Sequence, residues 1–129
     1  MKEKIEVKKG PTAGGPYSQI IRAGDFVYIA GQASIDPESG EMVEGDIYAQ
    51  TKRTMENIKN MLTNAGCTFD DLVRVTVYLK DIKQWSKMNE VYETYFEGDF
   101  PTRVAVEASM AMEDLLVEIS SIAHKPKTS

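Results

Sequence analysis

The chain of 129 residues fits a single domain, 1–129, and is long enough to bury roughly two-thirds of the surface its unfolded form exposes. A net charge of −5 opposes a phosphate backbone, no apolar run nears the roughly 18 residues of a membrane span, and the charged start Met1-Lys2-Glu3-Lys4 lacks a leader's apolar block; nucleic acid and membrane are therefore unexpected partners, and the cytoplasm is the expected compartment. With one cysteine, Cys67, and one histidine, His124, internal disulfides, thiolate metal clusters and histidine-activated nucleophiles all lack parts.

Ile5 and Val7 alternate with Glu3, Glu6 and Lys8 and predict a short first strand, followed by a loop bracketed by Gly10-Pro11 and Gly14-Gly15-Pro16. Strands are expected over 18–23 and 26–30, joined by a tight turn at Ala23-Gly24-Asp25, with a further turn at Asp36-Pro37-Glu38-Ser39-Gly40. Met55, Ile58, Leu62 and Ala65 recur at helical spacing within 46–65, where Asp46 can cap the start and Gly66 can end the last turn. Val73, Val75, Val77 and Leu79 then alternate with Arg74, Thr76, Tyr78 and Lys80, the pattern of a central strand. Trp85, Met88, Tyr92 and Tyr95 return to the helical period, and Gly98 marks its stop. Two more strands carry Arg103 and Glu118, and 125–129 reads as a frayed tail.

This order predicts an α+β fold: a mixed β-sheet with two α-helices on one face. The other face, expected to carry Thr76, Tyr78 and Arg103, needs a cover and suits another subunit, which predicts a homo-oligomer.

Within Phe100-Pro101-Thr102-Arg103-Val104-Ala105-Val106-Glu107, the valines alternate with Arg103, Ala105 and Glu107; with the valines in the core, Arg103 points to the opposite face. Such an arginine either pairs with Glu107 or Glu118 or receives an anionic ligand. Glu118, between Val117 and Ile119, is either that permanent partner or a group that positions water. Tyr17, after Gly14-Gly15-Pro16, is a packed surface aromatic or a ligand contact. Met55, Met61 and Met88 read as core fillers, Cys67 as an inert thiol and His124 as a solvated side chain.

Several short motifs fall in order along nearly the whole chain: Gly15-Pro16-Tyr17-Ser18-Gln19, Gly31-Gln32, Asp36-Pro37, Gly40-Glu41, Asn57-Ile58, Ala65-Gly66 and Asn89-Glu90-Val91-Tyr92. They close with Pro101-Thr102-Arg103, Val106-Glu107 and Val117-Glu118-Ile119, and together the chain resembles the reactive-intermediate deaminase family, RidA or YjgF. The resemblance implies a chorismate-mutase-like homotrimer with clefts between subunits. It further implies cofactor-independent hydrolysis of 2-imino and 2-enamino acids, 2-iminobutyrate and 2-aminoacrylate among them, to 2-oxo acids and ammonia. By position, Arg103 would grip the substrate carboxylate and Glu118 would orient or activate water, as the catalytic pair. Tyr17 would close the cleft, and Gly31, Ala105 and Asn89 would complete its lining. No metal site is implied.

Three departures from the family pattern matter. Ala30 stands where many members carry serine, Ala105 where many carry cysteine, and Met110-Ala111-Met112 replaces a more usual Arg-Leu-Pro type of turn. The first and third leave room for an alternative, a non-catalytic member that binds a small carboxylate as a regulator. The RNA-cleaving, translation-inhibiting activity attributed to some relatives fits the acidic charge badly.

Overall fold

In the computed structural model, which describes residues 1–10 and 13–127, six strands and two α-helices appear in the order β1 (Lys2–Lys4), β2 (Ile20–Ala23), β3 (Phe26–Ala33), α1 (Ile47–Asn64), β4 (Leu72–Leu79), α2 (Trp85–Tyr92), β5 (Thr102–Glu107) and β6 (Val117–His124). Pro11 of the expected Gly10-Pro11 turn, and Thr128 and Ser129 of the expected tail, lie outside the described residues. The strands form one mixed sheet in the order β1-β2-β3-β6-β4-β5, in which only β4 and β5 run parallel. That parallel pair needs a crossover, and α2 supplies it.

Local chemistry sets the elements. The Asp46 carboxylate accepts a hydrogen bond from the Ala49 N–H at 3.0 Å and starts α1, while Gly66, at φ 74°, provides the left-handed residue beyond its end. Gly24, at φ 60°, turns β2 into β3. The buried stripe of α1, including Met55, Ile58, Met61 and Leu62, packs with Met88 and Tyr92 of α2 on the inward side chains of the sheet. Those are Val27 and Ile29 of β3, Val75, Val77 and Leu79 of β4, and Val117 and Ile119 of β6. The three methionines fill core space as their spacing predicts.

Five expectations need correction. In β4 the register with β6 shifts between Leu72 and Arg74, so Leu72 is buried and Val73, expected on one face with Val75, is exposed. The first strand is Lys2–Lys4, paired with 21–23 of β2; Ile5 and Val7 lie just beyond it and pack partly buried on the core, so backbone pairing at the sheet edge outranks side-chain alternation there. The second helix ends at Tyr92 and tightens into a single 3-10 turn, Glu93–Tyr95, before Gly98 is reached. The tail is tied through Lys127: the Lys125 N–H donates to the Asp25 carbonyl at 2.7 Å, and the Lys127 ammonium reaches Glu3 Oε1 at 2.6 Å.

The fifth correction concerns β5, whose two faces are the reverse of the expected ones. Its register sets Arg103 beside Val75 and Ala105 beside Val77, and those valines are buried under the helices. Arg103 and Ala105 therefore face α2, whereas Val104 and Val106 lie on the open face, 41% and 40% exposed. The edge strand's helix-facing side is capped by aromatic rings of α2, which receive a guanidinium as readily as a valine.

Candidate active site

Glu118 follows from the alternation of β6. With Val117 and Ile119 fully buried beneath the helices, the side chain between them must leave through the open face, where its neighbours across the sheet are Ala33 and Tyr78. Burial among them pushes the Glu118 carboxyl above the ordinary value of 4.5, because a charge is harder to hold in a half-dry setting.

Gly31 makes that position possible. A Cβ added there would lie 2.5 Å from Glu118 Oε2 and 3.1 Å from its Cδ, so the carboxylate occupies the space a side chain would need. The glycine sits where the β3–β6 register slips, between Ile29 and Gln32, and a bulge of this kind re-aims the local backbone. Ala30, in the same irregularity, donates its N–H to the Gln19 carbonyl at 2.9 Å and so ties in the loop that carries Tyr17. Tyr17 is 53% exposed, and its phenol oxygen accepts from the Gly14 N–H at 3.1 Å.

Two buried amides of α1 steady this end of the sheet. Asn57 donates through Nδ2 to the carbonyls of Ala33 at 2.9 Å and Ile35 at 2.8 Å, pinning the exit of β3. Gln50 accepts from the Leu116 N–H at 2.9 Å and donates to the Asp114 carbonyl at 3.0 Å, pinning the entry to β6. Sequence reading gave neither a role: Asn57 entered only as part of the Asn57-Ile58 motif, and Gln50 not at all. Their signal was polar side chains seven positions apart on the buried face of an amphipathic helix.

Arg103 belongs to a separate cluster. Its Nη1 donates to Asn89 Oδ1 at 2.7 Å, and its Cζ lies 4.8 Å from the Trp85 ring centroid and 4.9 Å from that of Tyr92. A cavity of about 270 Å³ opens beside it, lined by Asn89, Tyr92, Glu93, Phe100, Pro101 and Arg103. Burial raises the Tyr92 phenol to about 12 despite the opposing pull of Arg103, so it stays neutral. No ion pair among the described residues involves Arg103. Glu107 is occupied as an acceptor from the Ile82 N–H at 3.0 Å, and Glu118 lies on the other face of the sheet. Neither of the internal partners considered for it, Glu107 and Glu118, forms an ion pair with it among the described residues.

The structure thus brings Arg103 and Asn89 together, with Ala105 two residues along the same face, and brings Gly31 and Glu118 together beside the Tyr17 loop; it does not bring these two groups to one another. Glu118 and Val106 both flank Tyr78, and Arg103 lies three residues back along β5. Two strand spacings and three residues of rise separate the backbones of Arg103 and Glu118 by roughly 14 Å. Each group offers half of a site for a polar molecule: a cation for an anionic end, and a carboxylate of raised proton affinity. Among the described residues no group of three or more His, Cys, Asp or Glu could hold a metal ion, and no helix is long and apolar enough to cross a membrane.

Residues 7–125 match the family described as Endoribonuclease L-PSP. A RutC family protein of Pyrococcus abyssi is 54% identical over 124 residues, covering 96% of this chain and 98% of its own. A 2-iminobutanoate/2-iminopropanoate deaminase of Mus musculus is 37% identical over 123 residues, covering 95% of this chain and 91% of its own. Among solved structures, RidA from an Antarctic Psychrobacter superposes with a TM-score of 0.88 at 37% identity, over 95% of this chain and 98% of that one.

Proposed function

Because the chain belongs to the RidA/YjgF family, the one described as Endoribonuclease L-PSP, we propose that it hydrolyses reactive 2-imino and 2-enamino acids to 2-oxo acids and ammonia. The observation that carries this reading is the pair of prepared but separated groups. Arg103 forms no ion pair among the described residues, and Glu118 has raised proton affinity with a glycine cleared beneath it. They lie on opposite faces of one sheet, too far apart to meet on a molecule of four carbons. A second copy laid on the open face supplies the missing half, so the site is read as an intersubunit cleft in a homotrimer. The exposed Val104, Val106, Tyr28 and Val73 give that face an apolar surface to bury.

In this cleft Arg103 binds the substrate carboxylate through the guanidinium nitrogens that Asn89 leaves free. Tautomerisation turns an enamine into the imine, whose protonated form already has an electrophilic C2. Glu118 takes a proton from water as the oxygen attacks C2, giving a carbinolamine, and returns it to nitrogen as the C–N bond breaks. As the C–N bond breaks, the carbinolamine hydroxyl passes its proton to the departing ammonia, so the 2-oxo acid and ammonium result and Glu118 is regenerated as carboxylate. Positioning is the main requirement. The raised pKa suits the proton shuttle, since a more basic carboxylate accepts a proton from water more readily.

The test is ammonia release from freshly generated 2-iminobutyrate above the spontaneous rate. Removing a charge-assisted pair lowers kcat/KM by about 10- to 150-fold, so Arg103→Ala should lose that much, and an undiminished variant rejects the assignment. A second reading has one specific support: Ala30 places a methyl group at the bulge beside Gly31, where the family pattern implied by the resemblance has a serine hydroxyl. A carboxylate-binding regulator would bind 2-oxobutyrate without turning over the imine.

A further inference from the structure

The Arg103 guanidinium faces competition for its charge. Glu93 lines the same cavity, and Glu107 projects from the same side of β5, yet neither forms an ion pair with it. An arginine on an edge strand has four side-chain torsions with which to collapse onto such a neighbour. What opposes collapse comes from one helix: Trp85, Asn89 and Tyr92 are spaced four and three residues apart along α2, so all three project toward β5. Positions 85 and 92 are separated by about 10 Å along the axis, which places a guanidinium at 4.8 and 4.9 Å from the two ring centroids in the gap between them. Asn89, in the turn between, takes one guanidinium nitrogen at 2.7 Å.

We propose that Trp85, with Tyr92, is a positioning residue that clamps Arg103 away from Glu93 and presents the unused edge of its guanidinium to the cavity. The inference rests on the reading of Arg103 as the carboxylate anchor. It adds the two rings, of which Trp85 lies outside the cavity lining, and gives the cavity-lining carboxylate the role of a competitor that the clamp holds off. Tyr92 is buried and also packs the core, whereas Trp85 is 41% exposed, so Trp85 is the position where clamping separates from folding. It is also the only tryptophan, so its emission reports the clamp directly.

The experiment compares wild type, Trp85→Ala, Trp85→Phe and Trp85→Ala/Glu93→Gln as full-length protein. Binding of 2-oxobutyrate is measured by titration calorimetry, turnover of 2-iminobutyrate by ammonia release, and folding by thermal melting. Loss of a cation–π contact predicts that Trp85→Ala weakens 2-oxobutyrate binding and raises KM by about 3- to 30-fold, with kcat held within about twofold. Trp85→Phe keeps a ring and recovers most of the affinity. Glu93→Gln, added to Trp85→Ala, recovers part of it by removing the competitor. In wild type, 2-oxobutyrate changes the Trp85 emission.

Wild-type binding and turnover matched by Trp85→Ala overturn the clamp while leaving the deaminase reading intact. A double variant no better than Trp85→Ala overturns the competitor role of Glu93. A wild type that neither binds 2-oxobutyrate nor releases ammonia overturns the deaminase reading itself, and with it the inference built on it.

Discussion

At the scale of single residues, Gly31 and Glu118 form one unit. The 2.5 Å between a Cβ at 31 and Glu118 Oε2 means that Gly31→Ala must displace the carboxylate, and a carboxylate is the flexible end of its side chain. The protein should therefore fold with a nearly unchanged melting temperature. A displacement of about 1 Å costs roughly 100-fold in a reaction that depends on positioning, so deamination should fall by that order while 2-oxobutyrate still binds. Equal kcat in Gly31→Ala and wild type would detach Gly31 from the chemistry.

Glu118 also makes a pH-dependent prediction. Burial raises its folded pKa above the ordinary 4.5, so the folded chain holds the proton more tightly than the unfolded chain does. Its favourable contribution is complete below the unfolded value and is lost as pH rises through the folded one. At neutral pH the buried charge is a liability. Glu118→Gln should melt higher than wild type at pH 7, with the advantage shrinking toward zero as pH drops below 4.5, while deamination is abolished. For wild type, the acidic limb of kcat/KM should fall above 4.5, since the shuttle begins as carboxylate. A melting difference independent of pH would contradict the assigned cause.

At the scale of elements, α1 works on the candidate site through its buried amides. Asn57 satisfies two carbonyls at the exit of β3, and an alanine there leaves them without that partner at a cost of about 2–4 kcal/mol. Urea unfolding of Asn57→Ala should show that loss, against a near-neutral result for Lys59→Ala on the exposed side of the same helix. The alternation of 75–79 and the helical period of 46–65 could be read from the chain because each is a property of one element; the irregularity at Val73 could not, because it comes from the register with β6. The sidedness of β5 could not. Alternation of Arg103 with Val104 and Val106 separates two faces without saying which is inward; only the register with Val75 and Val77 decides it. Gln50 and Asn57 escaped for a related reason, since a polar residue on an apolar helix face is interpretable only once the backbone groups opposite it are known. Arg103 and Glu118 were both legible as candidates, but their separation was not, because strand order in the sheet does not follow strand order in the chain.

At the scale of the molecule, that separation leads to the most discriminating prediction. If each cleft takes Arg103 from one subunit and Glu118 from its neighbour, Arg103→Ala and Glu118→Ala are each inactive alone for different missing halves. Co-expressed, or refolded together from denatured mixtures, they form mixed trimers. A cleft is whole when the subunit giving its arginine side carries the Glu118 substitution and the subunit giving its carboxylate side carries the Arg103 substitution. With equal, random assembly this occurs in about one cleft in four, so the mixture should regain about a quarter of wild-type ammonia release. A site contained within one chain would regain nothing, because no single chain in the mixture carries both groups. Mixing the two variants after each has folded should restore activity only as fast as subunits exchange. Sedimentation velocity on the same samples measures the assembly directly, and a monomeric protein with full activity would overturn the shared cleft. The exposed valines of β5 bear on the same result: Val104→Asp, on the open face, should lower trimer content and activity together while leaving the secondary structure of the subunit unchanged.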